Sequence, residues 1–301
     1  MSASEIDTAV TPDRGPLRTK RRRWTSFILP VFTIAMIIYL AFPIFVMILF
    51  SFNKLIGERQ VATFTCCTLE WWGDLFGVQG LNKAIATSIK VAIPASIIAT
   101  AIGALIGLVL GRYRFRGRGI TNFVIFLAIA IPEIVLASAL LSMFVQAGSA
   151  VRIGYDTILF SHIGFAIAFV AITVRARVQG LDRSLENAAQ DLFATPFQAF
   201  MRVTMPLIMP GVVAGFLLAF VLSLDDFVIT NFVGGSVNTF PTWVYGASRI
   251  GVPPQVNVWG TILFTAGLLT AGLNLVASFR ATRKASVTAS TAPVLQGAQK
   301  Q

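Results

Sequence analysis

The sequence predicts an all-α, polytopic membrane protein with six transmembrane helices and with its N- and C-termini cytoplasmic. Three observations predict it. First, 55% of the 301 residues are hydrophobic and only 12% are charged, whereas an average soluble domain is roughly a quarter charged. Second, apolar runs recur at lengths close to the roughly 20 residues that a helix needs to cross a bilayer. Third, Lys and Arg fall unevenly between alternate loops. Together these exclude an ordinary soluble globular protein. The formal charge of +11 and the pI near 10.5 would suggest a nucleic-acid partner in a soluble chain. Here the positive-inside bias of membrane proteins accounts for them, and no nucleic acid is expected.

The first span runs from Phe27 to Phe52. It follows a basic cytoplasmic segment, residues 1–26, that contains Lys20-Arg21-Arg22-Arg23. The run is too long for the apolar core of a secretory signal and has no small-residue cleavage site, so it reads as a retained signal-anchor helix. Pro30 and Pro43 are tolerable there if neighbours satisfy the freed carbonyls. Five further spans fall at about 84–110, 121–147, 157–174, 207–232 and 257–279. Such runs exceed the length of buried strands, which makes the class all-α. The transmembrane domain is then 27–280, and the Ala-, Ser- and Thr-rich stretch 281–301 reads as a disordered cytoplasmic tail.

Orientation follows from the basic residues. With the N-terminus inside, eighteen lie on inner segments, against five outside: Lys54, Arg59, Lys83, Arg152 and Arg249. That asymmetry puts both ends in the cytoplasm. In the first outer loop, Trp71 and Trp72 read as an interfacial anchor lying on the membrane surface. Cys66 and Cys67 are the two cysteines and His162 the one histidine. No metal-ligand spacing is present. Adjacent cysteines seldom meet disulfide geometry, so both are expected as free thiols.

The inner loop 175–206 is unusually long and is not charge-dense. Leu181, Leu185, Ala188, Ala189 and Leu192 recur at helical spacing. Asp182 or Ser184 can cap the start of this helix, and Pro196 can open a second short one. A short cytoplasmic helix with a small apolar face has no core of its own, so it is expected to dock on a soluble partner or on the other membrane helices.

This loop resembles the signature of ABC importer permeases: E-A-A, three residues, G, nine residues, then I-x-L-P. Asn187-Ala188-Ala189 stand at the first block, Phe193 at the glycine, and Val203-Thr204-Met205-Pro206 at the last. Asn187, Phe193 and Met205 depart from the pattern, and Glu186 lies one place ahead of the glutamate position. If the glycine position needs a left-handed backbone, Phe193 is strained there. Ile131-Pro-Glu-Ile-Val-Leu-Ala-Ser-Ala-Leu-Leu141 and Leu222-Ser-Leu-Asp-Asp-Phe227 are similar to the second permease of spermidine/putrescine-type importers, within the binding-protein-dependent, MetI-like superfamily. The resemblance covers Phe27 to about Arg280 and implies a type I ABC importer permease fold in the inner (cytoplasmic) membrane. It implies that Glu186, Asn187, Ala188, Ala189, Asp191, Phe193 and Pro206 form an ATPase-coupling loop. The implied partners are a cytoplasmic ATPase dimer, a second permease subunit in a heterodimer, an extracytoplasmic solute-binding protein and membrane lipid.

Four ionisable residues fall within the spans: Lys90, Glu133, Asp225 and Asp226. Charges in hydrocarbon are costly and face a cavity or a partner. Helical rise puts Glu133 roughly 18 Å from the inner face and the Asp pair roughly in the outer third. Glu133, Asp225 and Asp226 are candidate pathway residues offering counter-charge to a cationic solute. Structural roles are open beside this: Lys90 at similar depth could pair with an Asp, and Glu133 could bond backbone freed by Pro132. Consecutive helical residues point about 100° apart, so Asp225 and Asp226 would not both face one cavity. His162 reads as a satisfied polar residue near the outer end of its span.

The expected function is a permease importing polyamines or a related small cation by alternating access. Alternatives are the same architecture carrying ferric ion, thiosulfate or an organophosphonate, or a secondary cation transporter. The chain has no G-x-x-x-x-G-K-[ST] phosphate loop. It is therefore expected to bind no cofactor and not to be an enzyme, with ATP and Mg on the partner ATPase.

Overall fold

A computed structural model describes residues 25–54, 64, 65 and 67–290. The run Lys20–Arg23, Arg59 and the segment 291–301 lie outside the described residues. The helices are α1 (Thr25–Phe50), α2 (Glu70–Gly73), α3 (Leu81–Arg112), α4 (Arg118–Ala130), α5 (Glu133–Gln146) and α6 (Tyr155–Gln179). They continue as α7 (Ser184–Asp191), α8 (Pro196–Ala199), a π turn over Phe200–Thr204, α9 (Met205–Asp225), α10 (Val228–Val233), α11 (Phe240–Ser248) and α12 (Pro254–Ser290). Among the described residues the only β feature is an isolated bridge between Asn53 and Cys67.

The chain divides into two compact units, Met1–Leu49 and Phe50–Gln301. In the first, α1 is apolar on every side, and its large side chains from Phe27 to Phe42 are exposed. A helix apolar all round is suited to lipid rather than water.

The second unit is built on α3, α6 and α9. Lipid tails are as apolar as leucine, so these helices gain little by hiding apolar surface and associate through close packing. Gly103, Gly107 and Gly111 form one face of α3 at i, i+4 spacing and lie against α6. A Cβ at Gly107 would stand 2.6 Å from the Ala171 carbonyl oxygen, and one at Gly111 would stand 2.7 Å from Val178. Val170, Val174 and Val178 of α6 fill the seam with Ala99, Ile208 and Ala219.

Four described helices are long and apolar enough to cross a membrane: Phe27–Phe50, Leu81–Arg112, Tyr155–Gln179 and Pro196–Asp225. The expected span 121–147 is not one straight helix. It is α4 and α5, bent by 104° at Ile131-Pro132, and counts as a fifth if taken as one broken span. Proline disfavours helical backbone in the residue before it, and Ile131 is extended at ψ 127. The expected span 207–232 also differs. It starts earlier, at Pro196, and α9 ends at Asp225 because Asp226 turns to ψ 120. The expected span 257–279 falls within α12, which continues to Ser290.

One smaller expectation changes. Cys67 is disulfide-bonded, not a free thiol; the expectation rested on the short Cα separation usual for adjacent residues, and Cys67 sits in an isolated bridge outside any helix. The Trp pair is tied to protein: Trp71 Nε1 donates to the Asn53 carbonyl at 2.8 Å, and Trp72 stacks on Phe52.

Filling the glycine face should separate α3 from α6. Gly107→Leu is expected to lower stability by about 3 kcal/mol through overpacking, read as a loss of thermal stability in detergent. Gly164→Ala on the same α6, where a Cβ meets nothing within 4 Å, should leave it unchanged.

Candidate functional site

The predicted residues gather at two places, one at each end of α9. At its start lies the inner loop. The Asp182 carboxylate accepts from the Ser184 N–H at 2.9 Å just ahead of α7, whereas the N-cap position itself is Arg183, not Asp182 or Ser184, and its side chain makes no capping bond. Thr195 and Gln198 form a reciprocal capping box at α8, with Pro196 in its first turn. None of the residues of α7 is buried, so hydrophobic packing does not hold this helix in place. A polar joint does. Glu186 forms an ion pair with Arg112, the last residue of α3, and accepts from the buried Thr204 hydroxyl in the π turn. The Arg183 guanidinium donates to the Arg112 carbonyl, an otherwise unsatisfied acceptor at a helix C-terminus. Burial tends to raise the Glu186 carboxyl, but the hydrogen bonds from Arg112 and Thr204 and the charges of Arg112 and Arg183 outweigh it and hold it below the usual value.

The far end of α7 closes in a Schellman pattern. Phe193 N–H donates to the Gln190 carbonyl at 2.9 Å, and Ala194 N–H donates to the Ala189 carbonyl at 3.1 Å. The residue between must be left-handed, and Phe193 has φ 64, the one non-glycine with positive φ among the described residues. Its side chain is 96% exposed. Leu185, Leu192, Phe197 and Met201 are exposed on the same loop, as are Asn187, Ala188, Asp191 and Pro206, while Ala189 is half-buried.

At the other end of α9 lie the carboxylates. Asp226 is buried and works as a cap for α10: its oxygens accept from the Ile229 and Thr230 N–H groups at 3.3 and 2.9 Å and from the Thr230 hydroxyl at 2.9 Å. His162 of α6, also buried, places Nε2 3.0 Å from Asp226 and Nδ1 2.7 Å from the Ser223 hydroxyl. The same Nε2 lies 3.0 Å from the Thr230 hydroxyl. The Thr157 hydroxyl donates to the Val233 carbonyl at 2.6 Å and holds the other end of α10 to α6. Glu133, the first residue of α5, brings its half-buried carboxyl into hydrogen-bonding reach of Asp226. Asp225 is exposed at the last position of α9. Phe227 packs on Tyr245 at 4.6 Å, and that ring carries the Arg249 guanidinium at 4.8 Å.

The structure therefore brings Glu133, Asp225 and Asp226 together and separates the roles of the Asp pair. Asp226 is not the next residue round a helix; it lies past the helix end. Lys90 forms no ion pair among the described residues, and its carbonyl accepts from the Tyr155 hydroxyl at 2.8 Å. His162 takes the place considered for Lys90. It lies seven residues into α6, about two turns from the helix start. Ser223, Asp226 and Thr230, polar at near-helical intervals in an apolar run, are the sequence signal that points to such a partner. Arg112 and Arg183 had counted only as topology charges. No group of three or more His, Cys, Asp or Glu suits a metal among the described residues.

Residues 103–283 match the family described as binding-protein-dependent transport system inner membrane component. The chain belongs to that family. It is thus a multi-pass membrane permease component and not an enzyme. It is 37% identical to the spermidine/putrescine transport system permease protein PotC of Escherichia coli K12 over 79% of this chain and 89% of the relative. It is 35% identical to the putrescine transport system permease protein PotI of the same organism, over 76% and 82%. The fold is that of solved ABC transporter chains. A bacterial alginate ABC transporter aligns with TM-score 0.61 at 16% identity over 87% of this chain and 96% of the other. The MetNI methionine ABC transporter aligns with TM-score 0.54 at 18% identity over 68% and 95%.

Two outcomes follow for the inner loop. Phe193→Gly should stabilise the protein by about 1 kcal/mol, because a left-handed non-glycine costs roughly that much and the exposed ring loses no packing; a thermal shift measures it. A carboxyl lowered in the folded state stabilises that state while ionised, fully so above its ordinary value near 4.5. The contribution is lost as pH falls through the lower folded value. Amide exchange in α7 should therefore accelerate on acidification below about pH 4.5, and Glu186→Gln should abolish that acid-side change.

Proposed function

We propose that the chain is the permease subunit of an ATP-driven importer that moves linear polyamines such as spermidine and putrescine, or a related small cation, into the cytoplasm by alternating access. The observation that carries this is the meeting of three carboxylates at the broken ends of α5 and α9, in a chain whose relatives are polyamine permeases. Charge at such depth is retained where it has work to do. Asp226 is engaged by four donor groups and holds the site's shape. Asp225, exposed, and Glu133, half-buried, are the groups that offer counter-charge to ammonium. Discontinuous helices are a common way to line a solute site within a membrane.

The same reading gives six transmembrane helices within 27–280, with the basic segment 1–26 and the tail 281–301 cytoplasmic and the chain in the inner membrane. The exposed loop residues, Ala188, Leu192, Phe193 and Phe197 among them, meet a cytoplasmic ATPase dimer that carries ATP and Mg. A second permease completes the pathway as a heterodimer, and an extracytoplasmic binding protein delivers the solute.

The test is uptake by the complete transporter in proteoliposomes. Labelled putrescine or spermidine should enter on ATP addition. Asp225→Asn and Glu133→Gln should each raise KM about tenfold, the loss of one modest charge interaction, with assembly intact. Replacing Ala188 and Ala189 by Glu should remove the ATPase from the purified complex. Cation uptake unchanged by both carboxylate variants would sink the counter-charge reading; ATPase retained by the Glu variants would sink the docking face.

A further inference from the structure

The joint at Glu186 does more than fix a surface helix. It collects three elements at one carboxylate: α7 through Glu186 itself, the end of α3 through Arg112, and the root of α9 through Thr204. Arg183 adds a second tie from the loop to the α3 carbonyl. The Arg112 side chain is 8% exposed and that of Glu186 is 24% exposed, so the pair is shielded enough to hold. The π turn containing Thr204 runs straight into α9, whose 21 residues end at Asp225. At about 1.5 Å per residue, one continuous helix thus connects this joint to the carboxylate site roughly 30 Å away. π turns within helices frequently mark functional positions.

We propose that the Arg112–Glu186–Thr204 joint is the transmission element of the permease, with Glu186 a positioning residue that makes α3 and α9 follow α7. Hydrophobic packing gives α7 no other strong grip, since none of its residues is buried. A push on α7 that did not pass through this carboxylate would tilt the short helix on its loop. Passed through it, the push moves α9 along its axis and shifts Asp225 relative to Glu133 on α5. The proposal rests on the reading that an ATPase bears on α7, and it does not depend on which solute is carried.

The experiment uses the complete transporter with a cysteine reporter, Asp225→Cys, and a thiol reagent that does not cross membranes. Labelling rates are compared with the ATPase nucleotide-free and trapped with ATP and vanadate. With the joint intact, the two states should differ about tenfold. Glu186→Gln and Thr204→Val should collapse the difference to about twofold or less, with the ATPase still bound and hydrolysing. The charge exchange Arg112→Glu with Glu186→Arg should restore most of it; a merely structural role would instead lower thermal stability and leave the ratio between the two states unchanged. An unchanged tenfold difference in Glu186→Gln overturns the proposal. So does loss of the ATPase from that variant, which would make Glu186 part of the docking face, and so does the absence of any difference with the joint intact. Polyamine uptake is measured separately on the unmodified protein, so failure of the cargo assignment is seen on its own.

Discussion

The close approach of α3 to α6 is the constraint on which the rest of this structure depends. Three glycines a turn apart let backbone meet backbone where a single methyl would collide with the Ala171 carbonyl or with Val178. In lipid there is no water to drive helices together, so such contact is what holds them. Its consequences run in both directions. Toward one end, it leaves Arg112 where the loop helix can reach it. Toward the other, it fixes α6 as the wall against which α9 and α10 place Ser223, Asp226 and Thr230 around His162.

Breaking a helix in an apolar medium exposes backbone groups that water cannot satisfy. Each break here carries its own remedy. After α9, the Asp226 carboxylate takes the first free N–H groups of α10, and Thr157 takes up the Val233 carbonyl at its end. Between α4 and α5, Pro132 has no N–H to satisfy and turns the chain before Glu133 starts the next helix. Glu133 and Asp226 sit where they do because the breaks sit there: an acidic side chain is useful to a helix start whether or not it also meets a solute.

Much of this was legible in the sequence, for physical reasons that differ by feature. Long apolar runs announced the spans because the bilayer imposes a length. The inner loop stood out because its small apolar stripe and Pro196 made helices where a linker had no need of them. Phe193 was recognisable as strained because a glycine position in a known pattern was filled by a ring. The breaks within spans were not legible, since Pro30, Pro43, Pro94 and Pro210 all lie inside continuous helices while Pro132 ends one; neighbouring helices decide which. His162 was legible as a satisfied polar residue, but its partners were not, because they lie more than sixty residues away. The Arg112–Glu186 pair escaped because surface charge and joint charge look alike until a helix end brings them together.

One further consequence belongs to the exposed ring of Phe193 and the Leu192 beside it. The chain holds them in water at the tip of a well-formed helix end, in a backbone conformation that the ring itself disfavours. An isolated subunit therefore keeps a greasy, rigid tip on its surface, of the kind that cellular quality control reads as unfinished. Assembly with a covering partner would then govern how long the subunit survives as well as whether it works, and its abundance would follow the stoichiometry of that partner.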